Sequence, residues 1–274
     1  MSEPGATTSE TKVSYDQYGS GPPLVLVHGS FSNHKTNWEL IKPLIEAQFT
    51  VYAIARRGRG ETDATQGHSV EDESQDVAGL IEALDEPVFL LGHSYGAQVA
   101  LGAAALVPGS IRKLVLYEPP WPHIIRKDTL NRLEELAQAE NWDVLVTTFC
   151  REVIAMPEDE LSHLQRTQLW PHIVADAKAT MAEIRALSRY EFDPNNFRDL
   201  SCPVQLQIGT ESPRDLYVTD ALAAVLPNVT VEALPGQAHE GMNTAPDLYA
   251  EVLSRFLLGS RKAVKSTAAT GKGR

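Results

Sequence analysis

Cysteine is almost absent from this chain: Cys150 and Cys202 are the two examples in 274 residues. Two thiols cannot build a disulfide framework, and neither stands in a metal-binding or redox spacing, so both read as reduced structural thiols of a reducing compartment. Long apolar runs are missing as well. The longest, Tyr95 to Val107, is interrupted by Gln98 and falls short of the roughly 20 residues needed to cross a bilayer. The opening MSEPGATTSETK lacks the charged-then-apolar order of a secretory signal. Together these absences predict a cytoplasmic protein with no membrane partner. Positive charge is also scarce, with 24 Lys and Arg against 36 Asp and Glu and a formal net charge of −12. Five of those basic residues (Arg261, Lys262, Lys265, Lys272 and Arg274) fall in the last fourteen positions, so the body is more acidic still. Such a field disfavours nucleic acid as a partner and suits a small neutral or cationic molecule.

What is present is an alternation of short β-branched runs with longer helical patterns, the signature of an α/β protein with a mostly parallel sheet. Strands are predicted near 13–18, 23–28, 50–55, 87–92, 112–117, 203–208 and 229–233. Helices are predicted over 38–47, 70–84, 95–107, 215–226 and 246–258. Continuous apolar runs such as LVLV and VFLL fit central strands covered on both faces. The rhythm breaks over 121–199, which carries no strand pattern, reads as three or four helices, and holds Trp121, Trp142 and Trp170 of the four tryptophans. The expected organisation is a disordered tail over 1–12, a core over 13–120 and 200–259, a helical insertion over 121–199, and a basic disordered tail over 260–274.

The chemistry concentrates in Gly92-His93-Ser94-Tyr95-Gly96. This Gly-x-Ser-x-Gly stretch follows an apolar strand and precedes a helix, the context in which a tight turn holds a serine hydroxyl clear of the backbone as a nucleophile. Such a hydroxyl needs an imidazole to take its proton. Of eight histidines, His239 in LPGQAHEGM falls just beyond the last predicted strand, on the sheet edge that carries Ser94. His28 and His93 flank the glycine-rich turns and are expected to brace them, while the others fall in loops or the insertion. A carboxylate must then fix the imidazole. Glu118, stiffened by Pro119 and Pro120 at the end of a strand, is the favoured acid, with Asp215 and Glu211 as competitors. For a developing oxyanion, Tyr95 and Ser30 are the expected backbone N–H donors, with Phe31 as the alternative to Ser30. Phe31, Trp121, Trp142 and Met242 are the candidate substrate-binding walls. No phosphate loop, dinucleotide glycine pattern or His/Cys cluster is present, so no cofactor or metal is expected.

VLVHGS, RRGRGETD, LLGHSYGA, LVLYEPP and LPGQAH together resemble the α/β-hydrolase fold family over nearly all of residues 13–258. The resemblance implies that the helical insertion is a cap. Most members carry an Asp where this chain reads GTESP, and certain haloalkane dehalogenases instead place a Glu after the preceding core strand, where Glu118 stands here. Ser94 argues against the Asp-nucleophile dehalogenase and epoxide hydrolase activities. The resemblance therefore implies an esterase-like serine hydrolase working through an acyl-enzyme. Lactone, thioester and carbon–carbon hydrolysis, cofactor-free haloperoxidation and a non-enzymatic ligand receptor are the alternatives that the fold also hosts.

Overall fold

The runs that read as central strands are buried along their whole length. In the computed structural model, which describes residues 13–64 and 68–259, β2 (Pro23–Val27), β4 (Val88–His93) and β6 (Val204–Gly209) expose no residue. With β1 (Ser14–Gly19), β3 (Thr50–Ala55), β5 (Ile111–Tyr117) and β7 (Val229–Leu234) they form one seven-stranded sheet in the order β1-β3-β2-β4-β5-β6-β7. Every pairing is parallel except the edge pair β1–β3. The two tail assignments, at 1–12 and 260–274, lie outside the described residues.

Side chains along each strand alternate between two faces, and the core divides accordingly. Val25, Val27, Leu90, Leu114 and Leu116 pack with α2 (Val70–Ala83) and α3 (Tyr95–Leu106) in one cluster. Leu24, Leu26, Leu91 and Val115 pack with Trp38 and with α10 (Pro246–Leu258) in the other. Burying both faces stabilises the sheet by about 25 cal/mol for each Å² of apolar surface removed from water. The register places Val27 beside Gly92 and His93 beside Tyr117, so the carboxyl ends of β2, β4 and β5 are level. The loops that follow these strands therefore emerge side by side.

Two predicted helices differ from the structure. The one expected over 38–47 shrinks to α1 (Lys42–Ile45), because Pro43 has no N–H to continue a helix arriving from residue 39. The one expected over 215–226 starts late, as α8 (Thr219–Val225). Tyr217 is held extended instead, after a 3-10 turn over Arg214–Leu216: Pro120 and Tyr217 form a bridge, Val218 N donates to Pro119 O, and Trp121 N donates to Leu216 O. Tertiary hydrogen bonds override helical propensity there, and Tyr217 is carried to the sheet edge as a result.

Between β5 and β6 the chain inserts α4 (Lys127–Gln138), α5 (Trp142–Glu152), α6 (Glu158–Leu164) and α7 (Trp170–Arg189). Leu133, Leu145, Val146, Leu161, Ala177 and Met181 are buried between them. Among the described residues, no helix is long and apolar enough to cross a membrane.

Candidate active site

Ser94 sits at φ 55°, ψ −126° between β4 and α3. A non-glycine residue adopts that left-handed region only where its surroundings over-determine it, and here two glycines do so. A β-carbon on Gly92 would lie 2.5 Å from Gly96 O, and one on Gly96 would lie 2.2 Å from His28 O. Ser94 N donates to Tyr117 O at 2.9 Å, fixing the turn to the neighbouring strand. Phe31 and Glu118 also have positive φ, 54° and 49°. Half of the described non-glycine residues in that region thus belong to three adjacent loops at one sheet edge.

Glu118 leaves β5 at that edge and is completely buried. Its Oε2 lies 2.6 Å from Nδ1 of His239, and its Oε1 accepts the Gly209 N–H at 2.8 Å. Burial alone would raise its carboxyl; the hydrogen bond and charge of His239, with the Ser212 hydroxyl and the Gly209 N–H, outweigh it and bring the pKa below the ordinary value. Glu118 is therefore held ionised. Asp215 and Glu211 are both exposed and have no hydrogen bond to His239, Glu211 accepting instead from the Thr210 hydroxyl. Ser212, in the loop where an acid would have been convenient, is close to Glu118 and to Tyr217.

His239 is positioned from several sides. Its carbonyl accepts from His93 Nε2 at 3.0 Å, and the Tyr117 hydroxyl donates to Ala238 O while accepting the Gly241 N–H at 3.2 Å. Tyr217 stacks on the His239 ring with centroids 5.5 Å apart and planes 12° from parallel. Its hydroxyl lies 3.2 Å from Nδ1, so the ring covers the His239–Glu118 contact from solvent. Nothing in the sequence singles out Tyr217, which falls inside a predicted helix. Burial first, and then the charges of His239 and Arg56, hold His93 well below the usual histidine value. His28 is lowered likewise by burial and then by Arg56 and Arg59. Both stay neutral and brace the turns: His28 Nδ1 reaches Gly29 O at 2.8 Å, and Arg56 N donates to His28 Nε2 at 3.3 Å.

The loop after β2 packs directly against the Ser94 turn, since a β-carbon on Gly29 would lie 2.9 Å from His93 Nδ1 and 3.2 Å from Ser94 Cβ. Gly29 N donates to Asn37 Oδ1, and Phe31 N donates to Thr180 Oγ1 at 2.9 Å. Among the described residues, the N–H groups of Ser30 and Tyr95 have no acceptor. Two unspent donors beside a serine hydroxyl form an arrangement able to hold an oxyanion.

The arginines of the RRGRG stretch are not on the surface: Arg56, Arg57 and Arg59 are buried. Arg56 pairs with Glu73 and Glu183 at 2.9 Å each, and Arg59 pairs with Glu183 and donates to Thr180 Oγ1. Glu183 also accepts the Ser30 hydroxyl at 2.7 Å, and Glu73 accepts the Tyr95 hydroxyl at 3.0 Å. Since Thr180 and Glu183 belong to α7, the inserted helices are tied by buried charge to the loop that carries Ser30. Only the tertiary fold brings these four charges together, so no sequence spacing could have revealed them.

Ser94 and His239 both border two cavities. One is a cleft of about 370 Å³ that Phe31 also lines; the other is an inner pocket of about 20 Å³ reached past Phe149. Trp121, Trp142 and Met242 line neither. Trp121 stacks on His123 and meets Phe192 edge-to-face, Trp142 packs on the core of the inserted helices, and Met242 is fully buried beneath the sheet edge with Tyr117 and Tyr249. The apolar wall comes instead from Phe149 and Ile154, which border both, with Leu164 and Ile173 on the cleft and Ile184 and Leu187 on the inner pocket. No group of three or more His, Cys, Asp or Glu side chains among the described residues is arranged to hold a metal ion.

The chain matches the sequence model of the "Alpha/beta hydrolase family" over residues 24–252. It is 28% identical over 256 residues to a pimeloyl-[acyl-carrier protein] methyl ester esterase of Methylococcus capsulatus, covering 88% of this chain and 97% of that one. It is 27% identical over 254 residues to a 2-(acetamidomethylene)succinate hydrolase of Mesorhizobium japonicum, covering 87% and 89%. Among solved structures, an alpha/beta hydrolase from Sphaerobacter thermophilus superposes with a TM-score of 0.76 at 31% identity, covering 89% of this chain and 95% of that one.

Proposed function

The chain belongs to the alpha/beta hydrolase family, and we propose that it works there as a serine esterase, with Ser94 as nucleophile, His239 as general base and Glu118 as the acid that orients it. The observation that carries this reading is the contact of His239 Nδ1 with a buried, ionised Glu118. It directs the other ring nitrogen of His239 to the cleft that Ser94 shares. The relatives named above are hydrolases of differing bonds, so they support hydrolysis and leave the bond to be argued from the site.

In the proposed course, Ser94 Oγ attacks the ester carbonyl while His239 Nε2 takes the hydroxyl proton. The negative charge passes to the carbonyl oxygen, which accepts the N–H groups of Ser30 and Tyr95. Glu118 stabilises the imidazolium without taking its proton. Collapse of the tetrahedral intermediate breaks the bond to the alcohol oxygen, and His239 gives that oxygen its proton. A water activated by neutral His239 then attacks the acyl-Ser94 ester, releasing the acid and restoring the serine. The inserted helices act as a cap that supplies the apolar walls, and the partner is a small molecule with no cofactor required.

Stopped-flow mixing with 4-nitrophenyl acetate tests this scheme. A burst of nitrophenol equivalent to the enzyme, followed by slower turnover, is expected, and Ser94→Ala is expected to remove both. A steady rate that Ser94→Ala leaves intact would refute it.

A further inference from the structure

The two cavities that meet at Ser94 are very unequal. The inner pocket is closed by Ile124, Ile125, Val153, Ile184 and Leu187, with Tyr217 and Glu183 bordering it, and has about 20 Å³ of room. That is far less room than the outer cleft has, so this pocket accepts only a short group. The outer cleft, with about 370 Å³, is walled by Phe149, Met156, Leu164, Leu169 and Ile173. Neither cavity has a Lys or Arg among the described residues that line it, while Glu183 borders the inner one and Glu39 and Glu240 the outer. An anionic substituent would find no counter-charge on either side of the scissile bond, and leaving a charge unpaired in such surroundings is costly.

The orientation follows from proton transfer. The departing oxygen must receive its proton from His239, so the alcohol lies on the side of the His239 loop. Glu240, Asn243 and Thr244 of that loop line the outer cleft and not the inner pocket. The large substituent is thus the alcohol and the small one the acyl group.

Resting on the esterase reading above, we propose that the substrates are esters of a very short acid, of acetyl size, with a larger, uncharged and mainly apolar alcohol. The acyl-Ser94 intermediate is then a short acyl group enclosed by Ile184, Val153 and Leu187.

Three isomeric esters separate size from hydrophobicity, because hexyl acetate, butyl butanoate and methyl heptanoate share one molecular formula and differ only in where the carbonyl sits. In a pH-stat assay with the full chain, kcat/KM is expected to fall from hexyl acetate to butyl butanoate to methyl heptanoate, by about tenfold or more at each step. Ile184→Ala enlarges the inner pocket and is expected to raise butyl butanoate relative to hexyl acetate by about tenfold; Ile184→Val, a smaller perturbation of the fold, is expected to move the ratio the same way by less. Equal rates across the isomers, preference for methyl heptanoate, or a ratio untouched by both variants would overturn the proposal while leaving the esterase reading standing. If none of the three esters nor 4-nitrophenyl acetate is hydrolysed, the esterase reading fails and the proposal with it.

Discussion

Glu118 and His239, 121 positions apart in the chain, meet with 2.6 Å between Oε2 and Nδ1. This single contact joins the end of β5 to the loop after β7 across the intervening β6, whose terminal Gly209 donates its N–H to the same carboxylate. It supports Glu118 over the other acids that the sequence offers. Glu118→Gln is expected to leave the chain folded and to lower kcat by about 10⁴, the scale of losing a triad acid's charge. Asp215→Asn and Glu211→Gln, altering exposed side chains, are expected to change kcat less than about twofold. Steady-state rates for the three variants check this, and an inactive Asp215→Asn would reassign the acid.

The acid limb of the rate profile follows from which histidines can titrate. His28 and His93 are buried and held far below the ordinary value, so they remain neutral wherever the enzyme works. The limb in kcat/KM is therefore expected to show one ionisation, that of His239. A carboxylate beside an imidazole favours the protonated ring, so the residual activity of Glu118→Gln is expected to show this limb at lower pH than the wild type. A limb displaced upward, or unmoved, would separate Glu118 from the titrating base.

Acid stability has a different source. Burial would raise the Glu73 carboxyl, but Arg56 and His68 lower it well below the ordinary carboxylate value. A group depressed in the folded state stabilises the fold above its unfolded pKa, about 4.3 for Glu, and loses that contribution as pH falls through the native value. The urea midpoint is expected to drop as pH is lowered below about 4.3, and Glu73→Gln is expected to flatten that drop. Because it leaves Arg56 with one buried partner fewer, the variant is also expected to lose about 3–5 kcal/mol at neutral pH. An unchanged pH dependence in Glu73→Gln would contradict the assignment.

Trp121 and Trp142 are the aromatic residues that composition singles out, yet they pack away from both cavities, while Phe149 lines both and meets Phe31 at a tilt with centroids 4.7 Å apart. Phe149→Ala is expected to change the ratio of kcat/KM between short and long alcohols by about tenfold. Trp121→Ala and Trp142→Ala are expected to lower Tm and to scale all substrates together. A selective effect of either tryptophan would return it to the wall.

These differences show what kind of information the sequence held. Strand and helix positions were legible because buried parallel strands need continuous apolar runs and because glycine is forced at Gly92 and Gly96 by contacts under 3 Å. The gathering of Ser94, His239 and Glu118 at one place was legible because each follows a strand whose carboxyl end must lie on one edge. That Phe31 has its N–H engaged was not legible, since it turns on Thr180, a residue 149 positions away that accepts it. The Arg56, Arg59, Glu73 and Glu183 network and the stacking of Tyr217 on His239 were equally invisible, because each joins elements far apart in the chain. Met242 looked like a wall residue from its nearness to His239 in sequence, but the turn after His239 points it beneath the sheet edge, where it is fully buried.

The central claim is that Ser94 becomes covalently acylated, and a serine-directed fluorophosphonate tests it most directly. Intact-mass analysis is expected to show one adduct per chain, peptide mapping is expected to place it on Ser94, and ester hydrolysis is expected to stop in proportion to labelling. An adduct on any other residue, or a fully labelled Ser94 in an enzyme that still turns over ester, would contradict the account.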